Sequence, residues 1–216
     1  MIDRIGAGRV GGAAGLLLVA LFASSIPPSL GEPSLDASAN SWLAWYHASH
    51  SLVAIGAFEA VALPCFVVFV AGLWVRLRST SDRASGASIA LLIGASDTVA
   101  MYMASGAANE AAAIRVDRGL DLSEAGTLAD LATGFFVMSW IGVATVVLAA
   151  GVGIIASGAL PRWLGWVAVV IGAAHLVAEA FPLTALGFVA LLAFYVWVAV
   201  TSVLLLRSAG VKEPTL

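Results

Sequence analysis

The stretch SLVAIGAFEAVALPCFVVFV, Ser51–Val70, decides the fold. It carries one charged residue, Glu59, and one helix breaker, Pro64. A bilayer core needs roughly 20 mostly apolar residues per helix, and this run supplies them. Six such runs lie along the chain, near Val10–Pro27, Leu52–Val75, Ser85–Ala108, Ala129–Ile155, Trp163–Phe181 and Thr184–Leu206. Composition agrees with membrane spans. The 216 residues are 61% hydrophobic and 11% charged, with mean hydropathy +1.02. A soluble domain is about 45–50% apolar and about 25% charged. The sequence therefore predicts an all-α polytopic membrane bundle. Its six transmembrane helices form three hairpins in a single transmembrane domain over residues 1–216.

Charge placement predicts direction. In a six-span arrangement Arg4, Arg9, Arg76, Arg78, Arg83, Arg162, Arg207 and Lys212 share one side. Arg115 and Arg118 fall on the other. That bias predicts both termini in the cytoplasm of a cell with an inner membrane. It turns two loops outward, residues 28–51 and 109–128, each with short interfacial helices. Arg4 and Arg9 before an apolar core look like a signal peptide, but Pro27-Pro28 and the lack of a clear A-x-A site favour a retained helix. Each hairpin begins with Arg-x-x-Gly, at Arg9–Gly12, Arg83–Gly86 and Arg162–Gly165. Arginine anchors at headgroups and glycine lets helices approach closely.

Local signals sharpen the ends. Asp121-x-x-Glu124 resembles a capping box, so the fourth span is expected to start before it enters lipid. Pro161 fits a first-turn position for the fifth span, and Pro182 ends that span in a tight turn. Asn40 or Ser41 is expected to cap a short helix carrying Trp42, Trp45 and Tyr46 as an interfacial aromatic belt. The arginine-rich short loops, the aromatic-histidine segment WYHASH at Trp45–His50 and GALPRWLGW at Gly158–Trp166 resemble a group of uncharacterised six-helix bacterial membrane proteins. Those proteins carry the domain of unknown function numbered 4386. The resemblance implies a fold and a membrane location and implies no activity.

Charged groups at the bilayer centre cost about 2.5–3.5 kcal/mol each on insertion scales, so those present need a reason. Glu59 lies about 12 Å inside the second span, beside Pro64. Asp97 lies about 16 Å deep in the third, among Gly94, Ala95 and Ser96. It shares a helix face with Met101 and Ser105. His175 and Glu179 stand four apart on the fifth span, the spacing of a base with its orienting acid or of two metal ligands. Asp130 sits near the outer end of the fourth. Each also has a structural reading, as an interhelical hydrogen bond or a rim ion pair.

All five fall in the outer half of the membrane. That asymmetry predicts an outward-facing polar cavity. Asp97, Glu59, His175 and Glu179 are its candidate catalytic groups, and Asp130, Tyr102, Trp140 and Phe58 its candidate ligand contacts. Phe135, Phe136 and Phe181 are further wall candidates.

Three functions fit this pattern. The first is a pocket for a small amphipathic or lipid-like ligand, extending to acid–base enzymology such as isoprenoid cyclisation. The second is a non-catalytic structural or partner-binding membrane protein, and the third a proton-coupled transporter. No basic block or nucleic-acid motif is present, so nucleic acid is not an expected partner. The lipid bilayer is expected, and a homo-oligomer is left open. No cofactor is expected. His47 and His50, with a recruited carboxylate, are chemically adequate for zinc. No dense ligand motif supports that site, and wet interfacial side chains are the preferred reading. The single Cys65 rules out an internal disulfide.

Overall fold

A computed structural model describes residues 4–29, 31–48, 51–80, 85–182 and 184–208. Seven helices account for nearly all of them. They are α1 (Arg4–Ser29), α2 (Ala39–Ala48), α3 (Ser51–Thr80), α4 (Ser85–Val116), α5 (Leu122–Ser157), α6 (Arg162–Ala180) and α7 (Ala185–Ser208). Six are long and apolar enough to cross a membrane, and α2 is the exception. The chain is thus an all-α, multi-pass membrane protein.

The six long helices pack in chain order around a ring, α1 against α3, α3 against α4, and so on to α7, which closes on α1. The tightest neighbours are α4 with α5 and α1 with α3. One end of the bundle carries Arg76, Arg78 and Arg162 and is called the arginine end. The other carries α2, which lies on the tips of α4 and α5.

Small residues make the ring close. A Cβ on Gly72 of α3 would stand 2.7 Å from the Cα of Gly11 in α1. Gly151 and Gly165 do the same between α5 and α6, each facing the other's carbonyl oxygen at 2.7 and 2.8 Å. At such points only glycine lets two backbones touch, which brings dispersion contact where lipid provides no hydrophobic drive. Of the three Arg-x-x-Gly glycines, Gly12 and Gly165 sit at such crossings, while a Cβ on Gly86 would meet nothing within 4 Å. The repeated motif therefore marks helix starts more consistently than it marks contacts.

The arginine half is dry. Phe69, Leu73, Leu77, Leu91, Ile154 and Trp197 are almost wholly buried there. Phe69 meets Trp197 edge-on at 6.2 Å. The Trp197 indole N–H donates to the Leu164 carbonyl at 3.2 Å, satisfying the polar tip of a buried ring. The α5–α6 turn depends on Gly158, at φ +67, whose N–H caps the Ile154 carbonyl at 2.9 Å. Arg76 donates from Nε to the Ala159 carbonyl across that turn at 3.4 Å.

The other end departs from expectation in three ways. Instead of a loop over 109–128 with its own short helix, α4 runs on to Val116 and α5 begins at Leu122. The alanine-rich run after Asn109 favours continued helix. Asp121 then starts α5 by accepting from the Glu124 N–H at 2.8 Å. The Glu124 carboxylate pairs with Arg115 at 3.0 Å, so the box is half formed and half ion pair. Second, α2 is capped earlier than expected, by Ser38, whose hydroxyl accepts from the Ser41 N–H at 3.4 Å.

Third, Trp42 and Tyr46 do not form a lipid-facing belt. They are buried with Ala112, Leu120, Ala125 and Ala129. Their four-residue spacing puts both on the single face that α2 turns to the bundle. At about 1.5 Å per residue, α5 exceeds the roughly 30 Å hydrocarbon thickness, so its first turns project beyond it and give α2 a shelf.

Candidate functional site

A cavity of about 500 Å³ occupies the half of the bundle toward α2. Its volume falls within the range of about 300–1,000 Å³ typical of small-molecule sites. Residues of α1, α3, α4, α5 and α7 form its walls, and Trp42 with the 32–35 loop segment forms its roof. The exposed lining side chains are Ile26, Glu32, Ser34 and Phe188, so the rim lies at the tips of α1 and α7 beneath that loop.

The walls are aromatic and braced ring against ring. Tyr102 of α4 meets Phe136 of α5 edge-on at 6.1 Å, and Phe136 meets Trp140 at 5.7 Å. Across the cavity Phe22 of α1 stacks on Tyr195 of α7 at 3.7 Å, nearly parallel at 10°. Phe194 backs Tyr195 at 5.2 Å. Such pairs add about 0.5–1.5 kcal/mol each beyond area burial, and they fix the shape of the space between them.

Several of the polar groups in the lining are committed. Ser105 donates to the Ala132 carbonyl at 2.8 Å, tying α4 to α5. The Tyr46 hydroxyl donates to Asn109 Oδ1 at 3.0 Å, tying α2 to α4. Among the described residues Glu32 is the only charged side chain in the lining, and no Lys, Arg or His joins it there. It is open to solvent on one side, yet protein surrounds it on the others. That desolvation raises its carboxyl above the usual carboxylate value. Tyr46 is pushed up to about 12, first by its own burial and then by the negative charge of Glu32.

The expected site residues divide between this cavity and other places. Phe58, Tyr102 and Phe136 line it. Trp140 stands behind Phe136 and is packed against Gly187 of α7. Phe135 is outside the lining and Phe181 is exposed at the α6–α7 turn. Asp130 is exposed and lines a separate, shallower recess of about 360 Å³ with Leu35, Thr133 and Pro182.

Asp97 lies lower on α4, half-buried at the crossing with α5. A Cβ on Gly142 would stand 2.8 Å from its Oδ2. It shares its helix face with Ser105, two turns nearer the cavity floor. Glu59 belongs to α3, but its side chain lies outside the described residues, as does His50. His47 is exposed near the end of α2. Among the described residues no three His, Cys, Asp or Glu side chains come together as metal ligands.

His175 is buried between α6 and α7. Its Nδ1 donates to the Ile171 carbonyl at 3.0 Å, and its ring meets Phe194 edge-on at 6.3 Å. That bond leaves Nε2 as the lone-pair nitrogen. Nε2 and Glu179 Oε2 are both buried without a hydrogen-bond partner among the described residues. The pair therefore shares a helix face as its spacing requires, but neither residue lines the cavity.

No protein-family model matches the chain, and no curated protein or solved structure matches it either.

Proposed function

We propose that this membrane protein binds a small amphipathic or lipid-like molecule. Its apolar body would occupy the aromatic cavity, and its head would lie at the rim beside Glu32. The aromatic cavity itself carries this reading. A bundle that is only structural has no need of a space bounded by Tyr102–Phe136 on one side and Phe22–Tyr195 on the other. In the arginine half Phe69, Leu73, Leu77 and Trp197 are buried between the same helices. The lysine and arginine bias supports placing the rim on the non-cytoplasmic side of a bacterial cell membrane.

Binding alone, without catalysis, is the reading favoured. Acid–base chemistry needs its donor within about 2.6–3.2 Å of the reacting group or one water away. Asp97, His175 and Glu179 do not line the cavity.

The test is saturable binding of dodecanol to the protein purified in a bulky neutral detergent. Leu191, a half-buried lining residue of α7, is replaced by Leu191→Trp to fill the space. Binding should be lost with an unchanged melting temperature. Equal binding by both proteins, or none that saturates in the wild type, contradicts the reading.

A further inference from the structure

Resting on that binding reading, the geometry points to an organic cation as the ligand class: an alkylamine or quaternary ammonium amphiphile whose charged head meets Glu32 and the faces of the rings around it. Three observations converge. Among the described residues the cavity has one carboxylate at its rim and no basic side chain in its lining. A cationic head there gains a counter-charge, whereas an anionic head meets only repulsion.

The walls are ring faces. Aromatic quadrupoles attract a cation, most strongly where water is excluded, and Trp is the best of them. Trp42 lines the cavity and packs on Tyr46 at 5.9 Å, and Tyr46 feels the charge of Glu32. The head position is thus bounded by the Glu32 carboxylate and the Trp42 ring.

Several of the hydroxyl and amide groups that could serve a neutral, hydrogen-bonding head are engaged, Ser25 with the Phe22 carbonyl among them. Tyr46 donates to Asn109, and Ser105 donates to Ala132. Glu32 has neither an ion pair nor a hydrogen bond with any described residue. A carboxylate in a recess gains most from a bound cation when protein supplies none. Desolvation of Glu32 fits the same picture, because it makes a counter-ion more valuable than it would be in open water.

The test compares three ligands with the same tail on the purified wild-type protein: dodecyltrimethylammonium, dodecanol and dodecanoate. Above the titration of Glu32 the cation should bind at least about tenfold more tightly than dodecanol, and dodecanoate more weakly than either. Glu32→Gln should bring the cation's affinity to within about twofold of the same variant's dodecanol affinity, with a melting temperature no lower than that of the wild type. Equal affinities for cation and alcohol in the wild type overturn the cation assignment while the binding reading stands. A cation preference that survives Glu32→Gln overturns the role of Glu32. Failure of all three ligands to bind saturably removes the binding reading itself.

Discussion

The two halves of this bundle use the same six helices for opposite ends. In the arginine half, glycines bring backbones together and Phe69, Leu73, Leu77 and Trp197 fill what remains. In the α2 half, paired rings hold the helices apart around about 500 Å³. Close packing in lipid rests on small residues and shape. In the α2 half the bulky side chains pair within each wall and leave the space between them. The difference suggests that one half holds the fold and the other carries the function.

The largest expected contrast is between two phenylalanines. Phe69 is wholly buried against Trp197. Phe69→Ala should cost about 3–5 kcal/mol in unfolding free energy, the usual loss for a packed aromatic. Phe136 already faces empty space on one side, so Phe136→Ala should cost about half as much or less. Reversible unfolding in mixed micelles measures both. Equal losses would erase the distinction between the halves.

Two glycines give the next contrast. Gly72→Ala drives a methyl into the α1 backbone at 2.7 Å and should cost about 1–3 kcal/mol. Gly134, beside the shallow recess, has nothing within 4 Å of a new Cβ. Gly134→Ala should be neutral, or stabilising by about 0.5–1 kcal/mol through helix propensity.

A pH titration sharpens the role of the rim. The folded-state value of Glu32 lies above its unfolded value. Ionised Glu32 therefore destabilises the fold at pH above the folded value. That penalty is relieved as pH falls toward the unfolded value, below which the group contributes nothing. Glu32→Gln should flatten this part of the stability profile. Tyr46 stays neutral over that range, and no described histidine lines the cavity. Ammonium binding should run the opposite way and weaken as acid neutralises Glu32. It should do so at a higher pH than an ordinary carboxylate would require. Cation affinity independent of pH through that range contradicts this role.

The smallest expected effects concern orphaned polar atoms, one in each half. His175 Nε2 and Ser202 Oγ are buried without partners among the described residues. Replacing such a group by an apolar one of similar size is close to neutral or stabilising. His175→Leu and Ser202→Ala should each change unfolding free energy by less than about 1 kcal/mol. A larger loss for His175→Leu alone would mean that Nε2 has a function its packing does not reveal.

Much of this was legible in the sequence. Unbroken apolar runs such as Ser51–Val70 located the spans, and the arginine positions located one end. The five intramembrane His, Asp and Glu candidates stood out toward one half, but none of the four with described side chains lines the cavity. Tyr102, Phe136 and Phe58 were found as wall residues because aromatics near polar positions stand out in apolar helices. Glu32 was missed. A carboxylate in a polar loop carries no signal of its own, and only the fold of that loop over the helix tips brings it to the rim. The one hint was its place just ahead of Pro33 and an aromatic-rich helix. Trp42 and Tyr46 were taken for a lipid belt for a similar reason. Spacing shows that two residues share a face, but not whether that face turns toward lipid or protein. Asp97 and His175 stood out by their cost in lipid, and that cost does not say whether a group faces a cavity or a helix crossing.

The most direct test of the two-half account is a photolabelling map. A dodecyl amphiphile with a photoreactive group in its tail is bound to the purified protein, irradiated, and its attachment sites are read by peptide mass spectrometry. Labels that saturate and concentrate on Phe22, Tyr102, Phe136 and Leu191, competed away by excess unlabelled ligand, are the predicted result. Labels spread over the lipid-facing surfaces of both halves, without saturation or competition, would contradict it.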